Sequence, residues 1–254
     1  MFDSTDLLRE LQPIVQEAGR LAQRMHSQVT RVLKPDGSIV TEADRAVEEF
    51  LRQRLPKLLP DAGILGEELG AEPEGSAGLW CLDPIDGTSN YSFGSPIWGV
   101  SVGLVKGEEA LAGILFLPDL GEIYLGGQGY GATFNGEQMT PLPAGPIRNE
   151  ELVSYPDRVL RRLVDFRLPG KMRHSGAFIV DAAFTCVGRY RGLIGMREKL
   201  HDIAASLAIA KELDAEIRML SGEPLELEPL KNAESKIENA WMIFPKNSGF
   251  TLQK

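Results

Sequence analysis

Cysteine is almost missing from this 254-residue chain, which holds only Cys81 and Cys186. Two cysteines cannot build a disulfide framework, so a reduced cytosol is the simplest setting. Histidine is as scarce, with His26, His174 and His201 the full set. Excess positive charge is absent: 27 Lys and Arg stand against 36 Asp and Glu, a net charge of −9. Such a surface repels polyphosphate backbones and anionic membranes, which argues against nucleic acid or a membrane as partner. No long apolar run exists either. The longest uncharged stretch, residues 87–105, is broken by Asn90, Pro96 and several Ser and Thr, so no membrane span is expected. Asp3 and Asp6 stand where a signal peptide would carry a basic segment. What remains is ordinary globular material, 43% hydrophobic and 25% charged. At this length it suits one large domain or two intimately packed halves.

Leu7, Leu8, Leu11, Ile14, Val15, Ala18, Leu21, Ala22 and Met25 form one apolar helical stripe, in which Pro13 marks a kink or a second start. Residues 29–33 and 38–41 flank the turn sequence Lys34-Pro35-Asp36-Gly37 and read as a hairpin. A second helix follows, with a capping-box-like Thr41 and Asp44, and Val47, Phe50, Leu51 and Leu55 on its buried face. Strand-like segments then run at 64–65, 79–82, 97–105, 110–117, 122–125 and 131–134, predicting a large, mainly antiparallel sheet. Pro141, Pro143, Gly145 and Pro146 mark a linker between an N-terminal half, 1–140, and a C-terminal half, 147–254. In the second half helical segments at 157–165, 178–187 and 201–213 alternate with extended ones at 171–173, 190–194, 216–220 and 241–244, a layered α/β pattern.

Acidic residues gather at predicted element ends: Glu67-Glu68, Asp83, Asp86 and Asp202. Asp83-Pro84-Ile85-Asp86-Gly87-Thr88 directly follows the buried strand 79–82. Pro84 fixes φ and Gly87 permits a tight turn, so two carboxylates and the Ile85 carbonyl can converge. These are hard oxygen ligands suited to Mg²⁺. Gly87, Thr88 and Ser89 add backbone N–H groups that can seat phosphate. Each feature alone has a plainer reading: a surface turn, a solvated acidic pair, and a helix N-cap at Asp202.

Taken together, Gly66-Glu67-Glu68, the segment Leu82-Asp83-Pro84-Ile85-Asp86-Gly87-Thr88-Ser89-Asn90-Tyr91 and His201-Asp202-Ile203-Ala204-Ala205 resemble the inositol monophosphatase family of Mg²⁺-dependent, lithium-sensitive phosphatases. Val40-Thr41-Glu42-Ala43-Asp44 and the Gly-rich stretch 129–136 extend the resemblance over nearly the whole chain. The resemblance implies an α/β (α+β) fold: a layered αβαβα sandwich of the sugar-phosphatase type, with a large antiparallel sheet first and a smaller mixed sheet second. It implies two or three Mg²⁺ ions. Glu67, Asp83 and the Ile85 carbonyl would hold the first, and Asp83, Asp86 and Asp202 the second. Glu67 and Thr88 would orient the attacking water, Gly87, Thr88 and Ser89 would bind phosphate, and Asp44 would serve a third metal or the water network. Glu68 would back the ligands. A small phosphorylated metabolite and a homodimer also follow from the resemblance, while the cytoplasmic location rests on the scarcity of cysteine.

Two departures fall where the family recognises the alcohol half of its substrate. Gly176 is followed by Ala177 and Phe178, where a Ser or Thr then Ala is usual, and Gly195 stands where inositol phosphatases carry an acid. Substrate recognition is therefore expected at Gly176, Phe178, Gly195 and Arg191. Restoring the acid by Gly195→Glu is expected to favour inositol 1-phosphate. Arg189, Arg191, Arg197 and Lys199 could seat a second phosphate, or could simply solvate a sheet edge. Fructose-1,6-bisphosphatase, histidinol-phosphatase and 3′-phosphoadenosine 5′-phosphate phosphatase activities stay open as alternatives. From other classes, His201-Asp202 suggests an HD-type phosphohydrolase, though this leaves the carboxylate motif unexplained. A catalytically silent interaction protein is the remaining alternative, opposed by the intact acidic set.

Overall fold

The structure, a computed structural model, describes residues 3–26, 30–34, 37, 39–162 and 168–250. Helix α1 (Thr5–Met25) runs unbroken through Pro13. Pro13 lies on the exposed face, where the missing N–H bond and the displaced carbonyl are served by solvent. Strands β1 (Arg31–Leu33) and β2 (Ile39–Thr41) pair antiparallel; positions 29, 35, 36 and 38 of the expected hairpin lie outside the described residues. Helices α2 (Glu42–Arg52) and α3 (Leu55–Leu58) follow.

The large sheet comprises β3 (Ala62–Gly66), β4 (Gly78–Asp86), β5 (Gly99–Lys106), β6 (Glu109–Leu117), β7 (Glu122–Gly127), β8 (Gly131–Phe134) and β9 (Glu137–Gln138), in that order, with the one-turn helix α4 (Thr88–Ser92) between β4 and β5. Only the β3–β4 pair is parallel. The second sheet holds β10 (Leu152–Ser154), β11 (Lys171–Arg173), β12 (Gly192–Gly195), β13 (Ala215–Met219) and β14 (Trp241–Pro245), in the mixed order β11-β10-β12-β14-β13. Its helices are α5 (Asp157–Arg162), α6 (Phe178–Cys186) and α7 (Leu200–Glu212). Positions 163–165 of the expected helix lie outside the described residues, and β10 was not apparent in the sequence because three residues show no periodicity.

The result is an αβαβα sandwich. Helices α1 and α2 cover one face of the large sheet, α6 and α7 fill the space between the sheets, and Val159 of α5 packs with Val153, Ile194 and Phe244 on the far face of the small one. Strand β4 is buried on both faces, which is why it reads as a continuous apolar run. Helix α7 sits unusually close to the large sheet. Gly103 and Gly113 are cross-strand partners, as are Gly113 and Gly126. A Cβ on Gly113 would lie 2.4 Å from the Ala205 Cα. This glycine row lets the helix backbone, with Ala204 and Ala205, rest on the sheet, and so sets the depth at which Asp202 is delivered. No helix of the described residues is long and apolar enough to cross a membrane.

Candidate active site

The end of β4 presents the central acids. Asp83 opposes Ser101 and Asp86 opposes Gly99, so three steps on β4 face two on β5. That extra residue is a β-bulge, which bends the strand and re-aims its side chains. The sequence reading expected a turn after Leu82, whereas the strand continues through Asp86 with Pro84 accommodated at the bulge. Asp83 Oδ1 accepts the Ile85 N–H at 3.1 Å. Gly87 then turns with φ +83°, and a Cβ there would meet Ala177 at 2.8 Å. Thr88 follows as the first residue of α4.

Three other elements converge on this strand end. Glu67 comes directly after β3, the parallel neighbour of β4. Its loop is held by Glu48 of α2, fully buried, whose carboxylate accepts the Glu68 N–H at 2.7 Å and the Leu69 N–H at 3.2 Å. Asp44, also fully buried, accepts the Thr41 N–H at 2.8 Å and the Thr88 hydroxyl at 3.2 Å. Asp202 is the third residue of α7, not its N-cap, and reaches back to the Lys199 N–H at 2.7 Å. The two halves are tied here. Asp86 accepts the Ile179 N–H at 2.5 Å, and Asn90 donates to the Ser175 carbonyl at 2.9 Å.

Crowding of like charge shows in the acid–base properties. Burial, reinforced by Glu67, Asp86, Asp202 and Asp44, pushes Asp83 well above the usual carboxylate range. Burial likewise raises Asp86 to about 8 and Asp44 to about 6. Asp202 is the exception: burial works to raise it, but the adjacent His201, at 3.2 Å, and the Lys199 N–H bring it below its ordinary value. Lys34 pairs with Glu67 at 3.1 Å and Glu68 at 2.5 Å.

These donors fit a hard divalent cation. The raised pKa values of Asp83 and Asp86 are the signature of carboxylates gathered without enough positive charge, and all the donors are oxygens. Among the described residues no three acids are already closed into a ligand cage. Each instead spends an oxygen on a protein donor: Glu67 on Lys34, Asp86 on Ile179, Asp202 on Lys199.

A consequence for the metal-free protein follows by linkage. Asp86 and Asp44 bind protons more tightly folded than unfolded, so the unfolded chain releases them first as pH rises, and stability falls between about pH 4 and pH 8. His201 acts in the same direction: burial lowers its pKa, but Asp202 outweighs burial and leaves it raised. Asp202, being lowered, acts oppositely but only below about pH 4. The melting temperature in EDTA is therefore expected to drop from about pH 5 to pH 8, and Mg²⁺ to restore more of it at pH 8. A flat or rising profile in EDTA would contradict this charge arrangement.

A cavity of about 540 Å³ opens over the acids, lined by Glu67, Asp83, Ile85, Asp86, Gly87, Thr88 and Asp202. Gly176 and Phe178 line it as well. Asp44 lies beneath, linked through Thr88, and Ser89 is exposed and outside the lining.

The sequence pattern of the inositol monophosphatase family matches residues 4–244. The chain belongs to the inositol monophosphatase family. It is thereby a phosphoric monoester hydrolase. The Aquifex aeolicus fructose-1,6-bisphosphatase/inositol-1-monophosphatase is 36% identical over 200 residues, 75% of each chain. The Thermotoga maritima IMPase superposes with a TM-score of 0.78 at 29% identity, covering 94% of this chain and 91% of its own. An IMPase/NADP phosphatase complexed with Mg²⁺ and phosphate shares the fold, with a TM-score of 0.78 at 19% identity over 98% of both chains.

On the alcohol side two expectations change. Arg191 does not reach the cavity. Its guanidinium donates to the Pro143 carbonyl at 2.6 Å and the Gly145 carbonyl at 2.5 Å, and it lines a separate cavity of about 370 Å³. Arg191 precedes β12 while the site lies beyond the strand's other end, about 13 Å away at the usual rise per residue. Arg189 is likewise committed elsewhere, to Glu122 at 2.7 and 2.8 Å. Gly195 is buried against Trp241, and a Cβ there would lie 2.2 Å from the indole Nε1 and 2.7 Å from Glu198 Oε2. Gly195→Glu would therefore collide with Trp241 and not restore an acid to the site. Lining residues missed from the sequence are Lys34, Arg158, Met196, Glu198 and His201; of the four cations considered, only Arg197 and Lys199 face this cavity. Glu48, holding the Glu67 loop, was also missed, because one more acid on a charged helix carries no signal.

Proposed function

We propose that this chain is a Mg²⁺-dependent phosphomonoesterase acting on a small phosphorylated polyol or sugar. One observation carries the reading: Glu67, Asp83, Asp86, Asp202 and Thr88, spread over 136 positions of sequence, line a single cavity. Glu67, Asp83, the Ile85 carbonyl, Asp86 and Asp202 would hold the metal. Bound there, Mg²⁺ would neutralise phosphate oxygens and lower the pKa of water. The residues of the chain supply the rest. Gly87 and Thr88 line the cavity, so their N–H groups would serve as donors for phosphate, and the Thr88 hydroxyl, poised between Asp44 and the Ile85 carbonyl at 2.9 Å, would orient the attacking water with Glu67. Glu68 and Lys34 set the position of Glu67 from behind. A homodimer and inhibition by Li⁺ belong to the same reading by family resemblance, and a cytoplasmic location by the scarcity of cysteine.

The test is a panel of inositol 1-phosphate, fructose 1,6-bisphosphate, histidinol phosphate and 3′-phosphoadenosine 5′-phosphate, compared by kcat/KM with Mg²⁺ and with EDTA. Turnover is expected only with Mg²⁺, with at least one other ester cleaved as well as inositol 1-phosphate, since the acid expected at position 195 is a glycine. Turnover in excess EDTA would remove the metal from the reading. A preference for inositol 1-phosphate above a hundredfold would overturn the substrate expectation.

A further inference from the structure

The space beside Gly195 is filled by a pair of side chains. The Trp241 Nε1–H donates to Glu198 Oε2 at 2.7 Å, and both atoms occupy the volume a side chain at 195 would need. Glu198 is half-buried and lines the cavity. Its backbone is pinned on both sides by one residue, since the Arg197 N–H donates to the Ile237 carbonyl at 2.8 Å and the Ile237 N–H to the Glu198 carbonyl at 2.9 Å. Arg197 itself sits at φ +78°, a conformation that a non-glycine residue adopts only under constraint from its surroundings. The Glu198 carboxylate is thus built in place: the indole holds Oε2, and the Met196 and Glu198 backbone N–H groups also bond to the carboxylate. Burial raises its pKa, and these three bonds work against that rise.

The neighbouring wall is apolar. Phe178 packs on Trp241 with ring centroids 5.7 Å apart, and Phe178 also faces the cavity. A fixed carboxylate acceptor beside an aromatic face suits a ring that carries hydroxyls on its edge and C–H groups on its face. With Glu67, Asp83, Asp86 and Asp202 answered by the metal of the proposed site, Arg158, Arg197 and Lys199 of the same lining disfavour a cationic amine.

We infer that Glu198 is the residue that selects the leaving alcohol, accepting hydrogen bonds from the hydroxyls of a polyol or sugar ring that rests against Phe178. The inference rests on the phosphatase reading of the site, and deepens it by assigning the hydroxyl acceptor to position 198.

The experiment compares wild type, Glu198→Gln and Glu198→Ala with Mg²⁺ on inositol 1-phosphate, fructose 1,6-bisphosphate, histidinol phosphate and p-nitrophenyl phosphate. Glu198→Gln keeps an acceptor for the indole and removes the charge. It is expected to lower kcat/KM for the preferred polyol ester about ten- to a hundredfold, chiefly through KM. The nitrophenyl ester, whose leaving group has no hydroxyl, should stay within about twofold of wild type. Equal losses on all four esters would make Glu198 structural and overturn the inference, as would an unchanged polyol KM. A loss confined to the ammonium-bearing histidinol ester would overturn the choice of a polyol. Calorimetric binding of the polyol esters to the slow Thr88→Ala protein, with and without Glu198→Gln, reads the same contact without turnover. An esterase-dead wild type would refute the phosphatase reading, while a Kd indifferent to Glu198 would refute this one.

Discussion

Asp83→Asn is expected to lower kcat by about 10³-fold, the several kcal/mol lost when a metal site of the kind proposed loses a central ligand charge, and to leave the protein folded. In the metal-free state the same change raises the melting temperature near pH 8, because the Asp83 charge is only 3% exposed and faces four other carboxylates. Activity and stability thus move in opposite directions. Asp202→Asn separates the two effects. It costs comparable activity but gives no gain in stability, since the Asp202 charge is already answered by His201 and the Lys199 N–H. Calorimetry of Mg²⁺ binding, melting curves in EDTA and kcat on one ester check all three statements. An Asp83→Asn protein that melts lower in EDTA, or that keeps wild-type turnover, would show that the acids at the β4 end do not form one electrostatic unit.

Thr88→Ala leaves every proposed ligand carboxylate in place and is expected to slow the chemical step by about 10²–10⁴-fold, the range for a group that positions a proton transfer. The geometry explains why one hydroxyl can matter so much. Thr88 Oγ1 has a single proton and lies between two protein acceptors, Asp44 Oδ1 at 3.2 Å and the Ile85 carbonyl at 2.9 Å. With that proton committed, its lone pairs are left for an incoming donor, which in the proposed mechanism is water. Mg²⁺ affinity should therefore stay within about twofold while kcat falls, and Thr88→Ser, which keeps the hydroxyl, should recover most of the rate. Loss of Mg²⁺ binding in Thr88→Ala would reassign the residue to holding the β4–α4 turn. Asp44 belongs to the same unit: with its pKa at about 6 it is largely ionised at neutral pH and able to accept.

The central motif was legible because its residues are neighbours in the chain. Asp83 to Ser89 forms a local structure whose bulge, glycine turn and helix start are set by bonds between residues a few positions apart, such as Asp83 with Ile85 and Thr88 with Ile85. Such features leave a mark in the sequence, although the chain makes them with a bulged strand where a turn was expected. The mainly antiparallel character of the large sheet was legible for the same reason, since consecutive strands pair throughout.

The alcohol side of the cavity was not legible, and the reason is packing between distant residues. Whether position 195 can carry an acid depends on Trp241, 46 residues onward, whose indole claims the space. Which cations reach the substrate depends on which end of β12 they occupy, so Arg197 and Lys199 face the cavity while Arg189 and Arg191 are drawn to Glu122 and to the carbonyls of Pro143 and Gly145. Glu48 and Lys34 position Glu67 through contacts across 20 to 34 residues. The sequence by itself determined which atoms could hold a divalent cation and present a phosphate, because that chemistry is carried by residue type and short spacing. Only the tertiary structure decided which side chains complete the cavity wall beside these atoms, because that depends on the volume left free when two sheets close on α6 and α7.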